Sequence, residues 1–69
     1  MNGVLLKVNG EARTVPQGST VEHVVGEVTV LTSGVAAAVN GDVVPRRLWG
    51  ATVVRDGDQI EIVTAVQGG

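Results

Sequence analysis

The chain contains no cysteine, and this absence excludes several kinds of site at once. Without thiols there are no disulfides, no thiolate metal ligands and no cysteine nucleophile. With 69 residues, the protein lies near the size at which one core must stabilise the fold without such help. Aromatic residues make up only 1% of the chain. We therefore expect an aliphatic core and a fold rich in β-strands.

Positive charge is also scarce. Five Lys and Arg residues stand against seven Asp and Glu residues, which gives a net charge of −2. This composition offers no broad basic surface for a phosphate backbone, so nucleic acid is not an expected partner. No apolar run approaches the ~20 residues that a membrane span requires, and the N-terminus lacks the layout of a signal peptide. We expect one soluble cytoplasmic domain with no membrane partner.

Groups that carry out catalysis are few. His23 is the one histidine, and no second ligand or nucleophile lies at a useful spacing from it, which favours a solvated side chain. Asp56 and Asp58 flank Gly57, but two carboxylates fall short of the roughly six to eight oxygens that calcium prefers. A turn explains them, and no metal site is predicted. The sequence indicates a substrate for other enzymes, with no catalytic residues of its own.

A strand and a hairpin turn are predicted at the start of the chain. Apolar residues recur there at every second position, as in a strand with one buried face: Val4, Leu6 and Val8. Asn9-Gly10 then favours a tight turn. We expect one bulged residue after the turn, because a strict two-residue loop would place Glu11 and Arg13 on the apolar face.

One amphipathic helix is predicted next. Ser19 begins a Ser-x-x-Glu pattern with Glu22, a signal for a helix N-terminus. Valines follow at helical spacing, which indicates a helix packed on a sheet: Val21, Val24, Val25 and Val28.

The second half of the chain predicts further strands. Residues 35–39 form a continuous apolar run, which indicates a central strand buried on both faces. Val43-Val44 predicts a short return strand, residues 52–54 another, and residues 60–66 the final one. The expected class is α+β, with a mixed sheet of four to five strands, one main helix across it, and the terminal strands side by side. Trp49 is expected to anchor the core, and Arg46-Arg47 to be solvated.

The last residues, 64–69, carry no charged side chain and end on Gly68-Gly69. The α-carboxylate of Gly69 is therefore the one candidate for chemistry. Without β-carbons the tip is thin and its torsions are almost unrestricted, which suits a narrow channel in another protein. The alternative is a frayed end without function. We predict a domain over residues 1–66 and a flexible tail over residues 67–69.

Motifs along nearly the whole chain resemble the ThiS family, the small sulfur carriers of thiamine biosynthesis. They are residues 18–21 (GSTV), residues 35–46 (VAAAVNGDVVPR), Trp49, residues 56–61 (DGDQIE) and residues 67–69 (QGG). The resemblance implies a β-grasp fold, related to ubiquitin, with the tail projecting from the last strand. One departure concerns the helix, where Val24, Val25 and Gly26 stand in a region in which family members commonly carry leucine.

The resemblance also implies the chemistry of Gly69. An E1-like adenylating enzyme is expected to use ATP and magnesium to join its carboxylate to AMP. Sulfur from a persulfide donor then leaves a thiocarboxylate, and thiazole synthase is the expected recipient. Gly68 would supply reach, Gln67 would help to position the tail, and nearby apolar sheet residues would dock the partner. The chain itself is expected to bind no cofactor.

Three other functions remain open from the sequence. A carrier for molybdopterin synthesis shares the fold and the tail. A ubiquitin-like modifier would join Gly69 to a lysine of a target protein. A plain interaction module would carry its terminal glycines incidentally.

Overall fold

The computed structural model describes residues 3–65, and these form a five-stranded sheet with a helix across one face. The strands are β1 (Gly3–Val8), β2 (Glu11–Pro16), β3 (Val35–Val39), β4 (Asp42–Val44) and β5 (Gln59–Thr64). Helix α1 spans Val21–Val28, and a 3-10 helix spans Arg46–Ala51. Neither helix is long and apolar enough to cross a membrane. The predicted boundary between residues 66 and 67 lies outside the described residues.

The sheet is mixed, with the strand order β2-β1-β5-β3-β4. The first and last strands, β1 and β5, lie side by side and run parallel. The other neighbouring pairs are antiparallel. The predicted α+β class, the number of strands and the pairing of the terminal strands are therefore confirmed, in agreement with a β-grasp fold.

The core lies between α1 and the sheet face that the helix covers. Its residues are almost all aliphatic, as the composition predicts, with Trp49 as the exception: Val4, Leu6, Val8, Val15, Val21, Val24, Val25, Ala37, Trp49, Val54, Ile60 and Ile62. The alternation in β1 and in β5 places every second side chain in this core.

The β1–β2 hairpin has a strict two-residue loop, so the predicted bulge is wrong. Val8 pairs directly with Glu11, and Asn9 and Gly10 have φ values of 52° and 85°, as a tight hairpin turn requires. Arg13 consequently pairs with Leu6 on the helix side of the sheet. It avoids the core because β2 is an edge strand.

An ion pair takes the charge of Arg13 away from the apolar face. Its Nη1 lies 3.2 Å from Oε1 of Glu27 on α1, while the aliphatic part of such a side chain can lie along apolar surface. His23 Nε2 lies 3.0 Å from Oε2 of the same glutamate. The prediction that His23 is exposed is confirmed.

Helix α1 begins one residue later than the sequence pattern predicts. Thr20, not Ser19, is the N-cap, and its Oγ1 accepts a hydrogen bond from His23 N at 3.3 Å. The Ser19 hydroxyl instead donates to Pro16 O at 2.6 Å. The predicted apolar helix face is buried except at its end, where Val28 is exposed.

Two predicted strands differ from the structure. Strand β3 is not buried on both faces, because α1 covers one face of the sheet and Ala36, on the other, is exposed. The central position belongs to β5. Residues 52–54 form no strand of the sheet. Val53 makes an isolated bridge with Thr20, which ties this segment to the helix entrance.

Candidate functional site

The predicted site residues Gln67, Gly68 and Gly69 lie outside the described residues, and the structure places the point from which they lead. That point is Ala65, directly after the central strand β5. Its backbone N–H donates to Gly34 O at 2.6 Å, which holds it against the loop before β3. The four residues 66–69 follow. The base of the tail is therefore tied to the middle of the sheet.

Asn9 extends the pairing of β5 beyond the point where β1 turns away. The main chain of β1 pairs with β5 as far as the bond from Asn9 N to Ile60 O. The Asn9 side chain then takes the next place in the ladder. Ile62 N donates to Oδ1 at 2.8 Å, and Nδ2 donates to Ile62 O at 3.2 Å. One turn residue thus supports the strand that leads to the tail.

We expect Asn9→Ala to lower the free energy of unfolding by about 2 kcal/mol, because it removes both hydrogen bonds and leaves alanine at a positive φ. Urea unfolding gives the loss, and the amide of Ile62 should exchange faster with deuterium. Asn9→Gly is the matched control. Glycine accepts the positive φ without strain, so its effect on stability comes from the loss of the two hydrogen bonds. Wild-type stability in both variants, with Ile62 still protected, would contradict this role.

The sheet face opposite α1 carries an apolar surface beside Glu61, which we call the outer patch: Ala36, Ala38, Val43 and Val63. Val63 pairs with Ala36, and Val43 pairs with Ala38, so their side chains are neighbours on this face. Val43 is 73% exposed and Val63 is 64% exposed. Exposed apolar surface of this kind marks interaction sites. The sequence alone did not separate these residues from the core.

A groove lies where the outer patch meets the base of the tail, and we call it the tail groove. It has a volume of about 420 Å³ and is lined by Ser33, Gly34, Val35, Ala36, Arg46, Val63 and Ala65. Its walls are mostly apolar, and among the described residues that line it Arg46 is the one that carries a charge. The groove therefore combines apolar contacts with a positive charge.

Trp49 holds Arg46 in place. The Arg46 Cζ atom lies 5.2 Å from the centre of the indole ring, within the range of a cation–π interaction. The ring is itself buried, and its Nε1 donates to Val44 O at 2.8 Å. The prediction of a core role for Trp49 is confirmed. Arg46 is exposed as predicted, but its place in the groove was missed, although positions i and i+3 of a 3-10 helix share a side.

The carboxylates around Gly57 build a turn, as predicted. Asp56 Oδ1 accepts from Leu5 N at 2.7 Å, and Asp58 Oδ2 accepts from Arg55 N at 2.8 Å. Within residues 3–65, no group of three or more His, Asp or Glu side chains is placed to hold a metal ion. These carboxylates thus have structural partners in the backbone.

Comparisons with known proteins agree with this geometry. The ThiS family model matches residues 3–69. The sulfur carrier protein ThiS of Escherichia coli (strain K12) is 34% identical over 61 residues, covering 88% of this chain and 92% of that protein. The crystal structure of the thiamine biosynthesis protein ThiS from Geobacter metallireducens matches with a TM-score of 0.77 and 32% identity, over 96% of this chain and 100% of that chain.

A longer relative contains a region that is similar to this chain. A thiazole synthase of Paramagnetospirillum magneticum is 39% identical over 64 residues, which are 93% of this chain and 20% of that protein. The chain thus spans about one fifth of that relative. Since the family model covers almost every residue and relatives of full length share the fold, the chain belongs to the ThiS family.

Proposed function

We propose that the protein is a sulfur carrier of thiamine biosynthesis, in which Gly69 carries the sulfur as a thiocarboxylate. Membership of the ThiS family over residues 3–69 is the observation that carries the proposal. The position of Ala65 at the end of the central strand supports it. Four extended residues reach about 14 Å at most, so Gly69 can enter a partner's site only if that partner contacts the end of the sheet.

The proposed chemistry uses the carboxylate of Gly69 and groups that other proteins supply. A carboxylate is a poor electrophile, so an E1-like adenylating enzyme joins it to AMP, with ATP as its co-substrate, magnesium as its cofactor and loss of pyrophosphate. The terminal sulfur of a persulfide then attacks the acyl carbon and AMP leaves. A thiol then attacks the donor's sulfur in the resulting acyl disulfide, which releases the thiocarboxylate and leaves a disulfide between the thiol and the donor. In this scheme the chain is a co-substrate and not an enzyme.

Thiazole synthase is the proposed recipient of the sulfur. The Paramagnetospirillum magneticum relative supports this, because a region similar to this chain is part of a longer polypeptide named thiazole synthase. The outer patch is the proposed docking surface, since Val63 lies on it and also lines the groove at Ala65. Partner contact and tail delivery would then occur at the same end of the sheet.

Intact mass spectrometry tests the function. The full chain is incubated with the adenylating enzyme, ATP, magnesium, a persulfide donor and a thiol. We expect an oxygen-for-sulfur mass change that fragmentation places at Gly69. An unchanged mass would refute the proposal.

Affinity purification from a cell extract separates the related functions. Recovery of thiazole synthase supports the thiamine pathway. Recovery of the large subunit of molybdopterin synthase in its place would assign the chain to that pathway. Amide-linked conjugates that survive denaturation and reducing agent would indicate a ubiquitin-like modifier.

A further inference from the structure

We propose that thiazole synthase holds this protein through a segment that places a carboxylate against Arg46 and apolar side chains in the tail groove. The inference rests on the proposed function and deepens it, because it names the residue and the chemistry of the contact. The segment would carry an Asp or Glu flanked by aliphatic residues. Three features of the groove carry the inference: the order of Arg46, its unused charge, and the position of the groove.

Arg46 is held in place before any partner binds. Its guanidinium stacks over the ring of Trp49, and that ring is fixed by burial and by its hydrogen bond to Val44 O. A long side chain normally loses rotamer freedom when it is ordered at an interface. Stacking on a rigid ring removes part of that freedom in advance, so less is lost on binding.

Arg46 has no ion-pair partner among the side chains of residues 3–65. Within the part of the chain that the structure describes, the ion pairs join Arg13 and His23 to Glu27, and no carboxylate pairs with Arg46. A guanidinium presents donors in a planar fork that matches a carboxylate. The apolar walls at Val35, Ala36 and Val63 would exclude water from such a pair when the groove is filled, which strengthens the interaction.

The position of the groove limits its occupant to a protein that receives the tail, and the similar region within a longer polypeptide named thiazole synthase favours that enzyme over the adenylating enzyme. Ala65 lines the groove, and the four residues 66–69 that follow span at most about 14 Å. An enzyme that receives Gly69 must therefore lie within that distance of the groove. The groove is continuous with the outer patch through Ala36 and Val63. A protein segment fits this open surface.

The test measures binding of the full-length chain to the thiazole synthase of the same organism by isothermal titration calorimetry at two salt concentrations. We expect Arg46→Ala to weaken binding about tenfold and Arg46→Glu by about fiftyfold or more, because the second change opposes like charges. Val63→Asp should weaken binding by a similar factor without touching Arg46. The affinity of Arg46→Ala should also depend less steeply on salt than that of the wild type.

Arg47→Glu is the matched control. It makes the same charge change at the next residue of the same 3-10 helix, outside the groove lining, and should weaken binding less than threefold, as expected of an exposed charge. Circular dichroism and thermal melting check that each variant is folded. If Arg46→Glu binds like the wild type, or no more weakly than Arg47→Glu, the inference is overturned while the function stands. If the wild type itself does not bind thiazole synthase, the proposed recipient is wrong and the inference fails with it, whereas the mass measurement at Gly69 decides the sulfur-carrier function.

Discussion

Deletion of Gly69 is expected to lower the rate of adenylation and sulfur transfer by at least about 100-fold. The shortened chain still ends in a carboxylate, that of Gly68, so the reacting group is kept and only its position changes. One residue spans about 3.5 Å, and a misplacement of about 1 Å at a reacting centre can already cost 100-fold. The loss of rate would therefore show that the position of the carboxylate matters, because the reacting group itself is kept.

Two measurements check this expectation. ATP–pyrophosphate exchange by the adenylating enzyme gives the rate of the first step, and intact mass gives the yield of thiocarboxylate. Gly69→Ala is the matched variant, because it keeps the length and adds one methyl group, and it should retain more activity than the deletion. Activity at the wild-type rate without Gly69 would show that the exact position of the terminal carboxylate does not limit the reaction.

The same deletion should leave thermal stability unchanged. The buried core of the described structure runs from Val4 to Ile62, and a glycine contributes no side chain to it. Thermal melting of the deletion variant therefore also checks that this variant is folded. A marked drop in melting temperature would mean that the loss of activity reflects unfolding.

Trp49→Ala is expected to lower the free energy of unfolding by about 3–5 kcal/mol. Trp49 is 5% exposed, and its removal leaves a cavity between the 3-10 helix and the core. It also removes the donor to Val44 O. A domain of 69 residues has a total stability of roughly 3–10 kcal/mol, so the substitution would remove a large share of it.

Urea unfolding followed by circular dichroism measures this effect, because the substitution removes the only tryptophan and with it the fluorescence signal. Trp49→Phe should cost less, about 1–2 kcal/mol, since it keeps most of the apolar surface and loses the N–H donor. Leu48→Ala, at an adjacent residue that is 41% exposed, should cost about 1 kcal/mol or less. If Trp49→Ala were as stable as Leu48→Ala, Trp49 would not anchor the core.

The sequence alone predicted the elements that depend on residues close together in the chain. Alternation identified β1 and β5, the Asn-Gly pairs identified tight turns, and valines at helical spacing identified α1. Family motifs over nearly the whole length led to the ThiS family, which the comparisons confirm. The roles of Gln67, Gly68 and Gly69 stay predictions, because those residues lie outside the described structure.

The sequence alone did not predict the features that depend on which strands become neighbours in the sheet. The strict hairpin pairs Arg13 with Leu6. Because β2 is an edge strand, the long Arg13 side chain can reach Glu27. An apolar run such as β3 has the same sequence pattern whether one or both faces of the strand are covered. Helix α1 covers one side of the sheet, so β3 is buried on that side, and the other side forms the outer patch.

Composition and local pattern thus determined an aliphatic α+β domain, while the absence of catalytic residues of its own stays a prediction. Only the tertiary structure decided how the base of the tail is supported and what surrounds it. Asn9 and Ile62 are 53 positions apart in sequence, and Arg46 meets Val63 and Ala65 across a groove. The physical reason is that backbone preferences and side-chain periodicity act over a few residues, whereas strand pairing brings distant segments together.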